Sequence, residues 1–148
     1  MGSGGADDRP DARTARRRAG DSAEDAVAGH LAAAGWAILA RNVRIGRSEV
    51  DIVAIEPGHG GALVVVEVRS RTSAGFGEPE ESVDAAKVGR LYRIASELLR
   101  AGRLPDGRLL PGDIAASGAF RVDLVAVVRA GPLAAWTIRR HLRGLLPP

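Results

Sequence analysis

Two segments rich in β-branched residues carry carboxylates that could act together. The segment SEVDIVAIE contains Glu49 and Asp51, and ALVVVEVRSR contains Glu67 and Arg69. If residues 57–61 close a hairpin between two strands, the register sets Asp51 opposite Glu67 and Glu49 opposite Arg69. Neighbouring carboxylates repel each other unless a cation lies between them, and hard oxygen ligands favour Mg²⁺ or Mn²⁺. The sequence therefore predicts a metal site at Asp51 and Glu67 that is suited to phosphodiester hydrolysis.

The same four residues also have a purely structural interpretation. Asp51 and Glu67 could form a solvated cross-strand pair. Glu49 and Arg69 could form a cross-strand salt bridge, which typically contributes about 0.2–1 kcal/mol. The shared strand face also carries apolar residues, and a half-buried face favours the metal site over the solvated pair.

Two further residues have both a chemical and a structural interpretation. Glu24 lies in the first turn of a predicted helix, where an acid is favourable to the helix dipole in any case. Lys87 is the single lysine among 21 basic residues. It could be an exposed helical side chain, or a compact ammonium that orients water where arginine would not serve.

Helices and strands are predicted from hydrophobic periodicity and turn residues. Ser22 and Asp25 begin a first helix, which Gly35 ends. A second helix runs from Val83 to near Gly102, after a loop over residues 72–79, and residues 103–119 form a long loop. The predicted strands cover Trp36 to Arg44, Glu49 to Glu56, Ala62 to Arg71, Phe120 to Arg129 and Ala135 to Arg139. The order α-β-β-β-α-β-β is typical of an α/β protein with helices packed on a mixed sheet.

Composition limits the class of protein. The chain has 148 residues, 45% of them hydrophobic, which fits one globular domain over residues 21–148 after a mobile, Arg-rich tail at residues 1–20. No apolar run is long enough to cross a membrane, and no signal peptide is recognised. The absence of cysteine fits a cytoplasmic location.

The charge distribution is uneven. The formal charge is +3, yet residues 21–100 carry nine bases and twelve acids, so the acidic middle of the chain requires a chemical explanation. The high pI reflects the predominance of arginine and is weak evidence for nucleic-acid binding.

The acids Asp51 and Glu67, with Arg69 two residues after Glu67, resemble the PD-(D/E)xK nuclease signature. The resemblance is closer to the YraN-like family of bacterial proteins, which are considered distant relatives of the archaeal Holliday-junction resolvases. It extends over most of residues 20–128 in five ordered blocks: GDSAEDAVAGHLAAAGWAILARNVR, SEVDIVAIE, VVVEVRSR, FGEPEESVDAAKVGRLYRIASELL and FRVDLVAVV.

The resemblance implies a fold and a set of site residues. The fold is a restriction-endonuclease-like α/β core, with a mixed β-sheet flanked by helices. The acidic site residues are Glu24, Glu49, Asp51 and Glu67, and Lys87 is a further matching position. Arg69 stands where the signature usually has lysine. Arginine cannot act as a general base at neutral pH, but it can hold a phosphate oxygen with two N–H groups.

These observations predict a Mg²⁺-dependent, structure-selective DNA endonuclease. The family relationship implies branched DNA as the substrate and is compatible with a homodimer. Arginines on the predicted elements would contact phosphates and position the DNA without reading its sequence: Arg41, Arg44, Arg71, Arg90 and Arg93. The alternative is a non-catalytic module on a nuclease fold that binds DNA or a protein partner.

Overall fold

The computed structural model describes residues 11–58, 61–72 and 83–148. The elements in chain order are α1 (Ala12–Ala33), β1 (Ala37–Ile45), β2 (Ser48–Ile55), β3 (Leu63–Thr72), α2 (Ala85–Ala101), α3 (Gly112–Ser117), β4 (Phe120–Arg129) and β5 (Thr137–Leu142). The model confirms the expected α/β class, a mixed sheet with helices packed on it.

The five strands form one sheet in the order β1-β2-β3-β4-β5. Strands β1, β2 and β3 form an antiparallel meander, β4 pairs with β3 in parallel, and β5 pairs antiparallel with β4. The chain passes through α2 and α3 between β3 and β4, as a parallel connection requires. The valine-rich segment Leu63 to Glu67 is buried, because β3 is the central strand and both of its faces are covered.

The two long helices cover opposite faces of the sheet. Helix α1 buries Ala23, Val27 and Leu31, which recur every four residues and pack on the strand residues Ile52, Ala54, Val64, Val66, Val125 and Val127. Helix α2 packs Leu91, Ile94, Ala95 and Leu98 on the other face, against Val53, Leu63, Val65 and Val122. The side chain of Asp84 caps α2 by accepting the Lys87 N–H at 2.7 Å, and Gly102 ends the helix at a φ of +67°.

Most predicted boundaries agree with the structure to within one or two residues, and three differ by more. Strand β5 ends at Leu142, three residues after the predicted end at Arg139. Helix α1 begins at Ala12, not near Ser22, with the Asp11 side chain accepting the Thr14 N–H at 2.8 Å. Residues 12–20, predicted to be part of a tail, are therefore helical. Residues 103–119, predicted to be a loop, contain the short helix α3. Residues 1–10 and most of the loop predicted at residues 72–79 lie outside the described part of the chain.

A buried ionic network joins the C-terminal strand to the sheet. Asp123 on β4 is fully buried and accepts hydrogen bonds from Arg121, His141 and the Gly144 N–H. Burial alone would raise the pKa of Asp123, but the hydrogen bonds from His141 and Arg121 outweigh it, and the pKa is lowered. Arg121 also pairs with Glu56 at 2.6 Å. Among the helices within the described ranges, none is long and apolar enough to span a membrane.

Candidate active site

The candidate site lies where β2 and β3 separate. The register pairs Ile55 with Leu63 and Ile52 with Val66, which is the register that sets Asp51 opposite Glu67. Beyond Ile52 the backbone pairing stops, and the Asp51 carboxylate accepts the Val68 N–H at 2.7 Å. A side chain thus takes the place of a backbone acceptor, which fixes Asp51 beside β3 and opens the sheet at this point.

Glu67 is the buried acid of the site. The residue is 5% exposed, although it carries a carboxylate. Burial and then the neighbouring charge of Asp51 raise its pKa to about 7, while the positive charges of Lys87 and Arg69 oppose the shift. Its Oε2 atom is buried and accepts no hydrogen bond, although the Lys87 ammonium lies 3.5 Å away. A buried carboxylate oxygen without a hydrogen bond is unfavourable unless a ligand completes its surroundings.

Glu24 brings a third carboxylate to the site from α1. Burial and then the charge of Asp51 raise the pKa of Glu24 to about 7, so the two acids are close enough to repel each other. Its Oε2 atom is also buried and lacks a hydrogen bond. Arg41 on β1 lies 3.9 Å from Glu24 and 2.7 Å from the adjacent Asp25, so it places a guanidinium at this end of the site.

Lys87 reaches the site from a different element. It lies in the first turn of α2, and its Nζ atom is 3.5 Å from Glu67 Oε2 and 3.5 Å from the backbone oxygen of Glu49. The side chain is 23% exposed, so it is not the freely solvated helical lysine of the structural interpretation. Arg69 lies at the same carboxylate, with Nη2 3.6 Å from Glu67 Oε1 and a buried Nε that makes no hydrogen bond.

Glu49 is oriented away from the other acids. Its carboxylate accepts a hydrogen bond from Arg44 Nε at 2.9 Å, and these two residues face each other across β1 and β2. The salt bridge between Glu49 and Arg69, which was the structural alternative for these two residues, does not form: Glu49 pairs with Arg44 and Arg69 with Glu67. Glu49 contributes its backbone oxygen to Lys87.

The arginines predicted to contact DNA are spread over several elements. Arg41 and Arg44 lie on β1 and form the ion pairs with acids described above. Arg71 is half-buried near the end of β3, while on α2 Arg90 is half-buried and Arg93 is exposed. The fold does not gather these five residues into one cluster, and their contacts with DNA remain predictions.

The site is a carboxylate pair with a third acid beside it. In the ranges that the structure describes, no group of three or more His, Cys, Asp or Glu side chains has the arrangement of a ready-made metal cage. Asp51 and Glu67 are hard oxygen ligands, and Glu67 has an unpartnered buried oxygen. Mg²⁺ commonly binds through one or two carboxylates and keeps several waters, so this donor set fits such a cation.

Fold and site together define an α/β protein whose mixed sheet carries a buried acidic centre with a lysine and an arginine beside it. The chain belongs to the family described as Uncharacterised protein family UPF0102, whose model matches residues 23–127. This confirms the YraN-like family membership predicted from the five sequence blocks.

Relatives of the family come from diverse bacteria. The chain is 43% identical over 113 residues to a UPF0102 protein of Moorella thermoacetica, covering 76% of this chain and 91% of that protein. It is 38% identical over 126 residues to a UPF0102 protein of Arthrobacter sp. (strain FB24), covering 85% and 93%. A UPF0102 protein of Sorangium cellulosum is 44% identical over 90 residues, but the match spans only 61% of this chain and 60% of that protein.

Among solved structures, the chain is similar to Pyrococcus furiosus SfsA in complex with Ca²⁺. The TM-score is 0.39 at 16% sequence identity, and the match covers 88% of this chain and 65% of the other.

Two features of the structure are not predicted from the sequence. The first is the role of Arg41, which pairs with acids of α1 instead of standing free for a phosphate; nothing in the local sequence signals a contact between β1 and α1. The second is the pairing of Asp123 with His141, which is the histidine near the C-terminus. The sequence does contain a signal for this pairing, since FRVDLVAVV has a single aspartate in an apolar run and a charge in a buried strand requires a partner.

Proposed function

We propose that the protein is a divalent-metal-dependent DNA endonuclease that hydrolyses phosphodiester bonds. One observation carries the proposal: Glu67 is buried, lacks a hydrogen bond to one of its oxygens, and lies beside both Asp51 and the ammonium of Lys87. Such an arrangement of charges is unfavourable in the protein alone and becomes favourable when a cation and a phosphate occupy it. Perturbed acids in that setting are more typical of a functional site than of a structural core.

Asp51 and Glu67 would hold the cation, and Glu24, which is close enough to Asp51 for their charges to repel, would be the third acid beside it. When bound, Mg²⁺ or Mn²⁺ would lower the pKa of a bound water and neutralise charge on the phosphate. The Val68 N–H holds Asp51 in place at 2.7 Å, so this ligand is oriented before any cation arrives. The raised pKa values of Glu24 and Glu67 make binding pH-dependent, since the ligands must be deprotonated.

Lys87 and Arg69 supply the positive side chains of the site. Lys87 Nζ lies 3.5 Å from Glu67 Oε2, whereas the PD-(D/E)xK signature has its lysine on the strand itself. Its ammonium is a compact charge that can orient a water molecule or a phosphate oxygen. Arg69 stays charged at neutral pH and has a buried N–H without an acceptor, so it is suited to holding a phosphate oxygen. The helix thus provides the lysine that the strand lacks.

The preference for DNA, and for branched DNA in particular, comes from the resemblance to the resolvase relatives and not from the geometry of the site. We therefore propose that the protein is a structure-selective nuclease of the bacterial cytoplasm. A homodimer is the form that would bind two strands of a junction.

The test combines metal binding with cleavage. Isothermal titration with MnCl₂ should give binding to the wild type and at least tenfold weaker binding to Asp51→Asn, which removes a charged ligand but keeps an oxygen for Val68. Glu97→Gln is the matched control, because Glu97 is an exposed acid of α2 paired with Arg100. Four-way junctions and linear duplexes with labelled ends should be cleaved by wild type and Glu97→Gln, with the junction preferred, and not by Asp51→Asn.

Two outcomes would contradict the proposal. If Asp51→Asn binds Mn²⁺ as tightly as the wild type, the carboxylate pair is not the metal site. If the wild type binds Mn²⁺ and DNA but cleaves neither substrate over a range of pH, the fold serves as a non-catalytic DNA-binding module.

A further inference from the structure

A basic groove lies between the N-terminal half of α1 and the connection from β4 to β5. Its cavity volume is about 620 Å³, and Arg16, Arg18, Thr72, Arg129 and Leu133 are among the residues that line it. Arg16 and Arg18 are exposed on α1, in the part of the helix that was predicted to be a tail. Three of the nine lining residues are arginines and none is acidic, so the groove favours an anion.

The floor of the groove is fixed by contacts between its side chains. The Arg129 guanidinium lies 4.2 Å from the centre of the Trp136 ring, and its Nε donates to the Thr72 hydroxyl at 3.2 Å. The Trp136 indole N–H donates to the Ser22 hydroxyl of α1 at 2.7 Å. These contacts join α1, β3 and β4 to the start of β5, so the floor is held in place before a ligand binds. A rigid, positively charged surface loses little conformational entropy on binding.

The groove lies at the end of the strand that carries the acidic site. Strand β3 contains Glu67 in its middle and Thr72 as its last residue. Five residues of strand extend about 16 Å, which is close to the length of five base pairs at about 3.4 Å each. On α1, Arg18 and Arg16 precede Glu24 by six and eight residues, or about 9 and 12 Å of helix.

We propose, resting on the nuclease function above, that this groove binds the sugar–phosphate backbone of the DNA arm that leads into the acidic site. Arg16 and Arg18 contact phosphates about three to five base pairs from the scissile bond, and Arg129 contacts the backbone from the floor. The contacts position the arm and do not read its sequence, because they involve phosphates and not base edges. The helical N-terminal half of α1 thereby has a function as a clamp for the substrate.

The experiment measures how DNA affinity depends on salt. Fluorescence anisotropy with a labelled duplex in EDTA, from 50 to 250 mM KCl, gives a slope of log affinity against log salt for each variant. Removing one arginine that neutralises a phosphate should reduce the magnitude of that slope by about 0.9. Arg16→Gln/Arg18→Gln should therefore lower it by about 2 and weaken binding at least tenfold at low salt. Arg100→Gln/Arg108→Gln is the control, because it removes the same charge from exposed residues elsewhere, and it should leave the slope within 0.5 of wild type.

A second measurement uses the predicted distance. With duplex arms of two base pairs beyond the cleaved bond, which are too short to reach Arg16 and Arg18, wild type and Arg16→Gln/Arg18→Gln should cleave at equal rates, whereas with arms of twelve base pairs the variant should be slower. If the variant keeps the wild-type salt slope while the wild type binds Mn²⁺ and cleaves DNA, the groove assignment is wrong and the proposed function stands. If the wild type neither binds Mn²⁺ nor cleaves DNA, the proposed function fails and the groove proposal fails with it.

Discussion

Replacing Glu67 by Gln should stabilise the metal-free protein at alkaline pH. The native pKa of Glu67 is raised to about 7, mainly by burial, from an ordinary value of 4.5. Between these two values the folded state holds a proton that the unfolded state releases, so the free energy of unfolding falls as the pH rises. Above pH 7 the folded protein must hold a buried anion. Gln has the shape of the protonated acid and never acquires that charge.

The magnitude follows from the pKa shift. Each pKa unit corresponds to about 1.4 kcal/mol, so the shift of Glu67 from 4.5 to about 7 sets the gain of Glu67→Gln at pH 8 at about 3 kcal/mol. At pH 5 the same linkage leaves less than about 1 kcal/mol, because the wild type is then protonated when folded. For a domain of this size the gain at pH 8 corresponds to a rise in Tm of about 5–10 °C.

Urea denaturation in EDTA at pH 5 and pH 8 measures the stability difference between wild type and Glu67→Gln at each pH. A repeat with MnCl₂ tests whether Glu67 is a metal ligand. Excess Mn²⁺ at about 100 times its Kd should stabilise the wild type by about 2.7 kcal/mol and leave Glu67→Gln unchanged. Glu97→Gln, an exposed change on α2, should stay within about 0.5 kcal/mol of wild type in every condition. The reasoning is refuted if Glu67→Gln is less stable than the wild type at pH 8 without metal, since Lys87 and Arg69 would then make the charged form the favourable one.

Three further predictions concern the neighbouring contacts. Asp51→Ala should have a free energy of unfolding about 1–3 kcal/mol lower than that of Asp51→Asn, because both variants remove the charge of Asp51 but only Ala leaves the Val68 N–H without its acceptor; equal urea midpoints for the two variants would contradict this. Lys87→Arg should slow single-turnover cleavage more than Arg69→Lys does, since a compact ammonium is replaced by a broad fork, and the reverse order would move the catalytic cation to β3. Asp123→Asn should lower stability by about 1.5–3 kcal/mol at pH 7. Because the native pKa of Asp123 is lowered, that loss of stability should shrink as the pH falls toward 3. Urea denaturation at pH 7 and pH 3 measures it, and an equal loss at the two pH values would contradict the prediction.

Much of the fold and part of the site could be predicted from local sequence. Runs of β-branched residues bounded by turn residues predicted the strands. The five residues 57–61 between the second and third predicted strands predicted the register that pairs Ile55 with Leu63. The same register placed Asp51 and Glu67 together, since residues opposite each other on paired strands are neighbours. The start of α1 was predicted too late, because residues 12–20 lack an apolar stripe and are exposed on a helix that is anchored further along.

The sequence by itself determined which side chains meet across a hairpin, because strand register depends on turn length and hydrophobic alternation over a few residues. The tertiary structure decided everything that depends on elements distant in the chain. It brought Lys87 from α2 to Glu67, 20 residues earlier, and it turned Glu49 toward Arg44 where β2 leaves β3. It also buried the Glu67 carboxylate, and burial together with the neighbouring charges sets its pKa. Such contacts arise from helix packing on the sheet, and no local pattern of residue types specifies them.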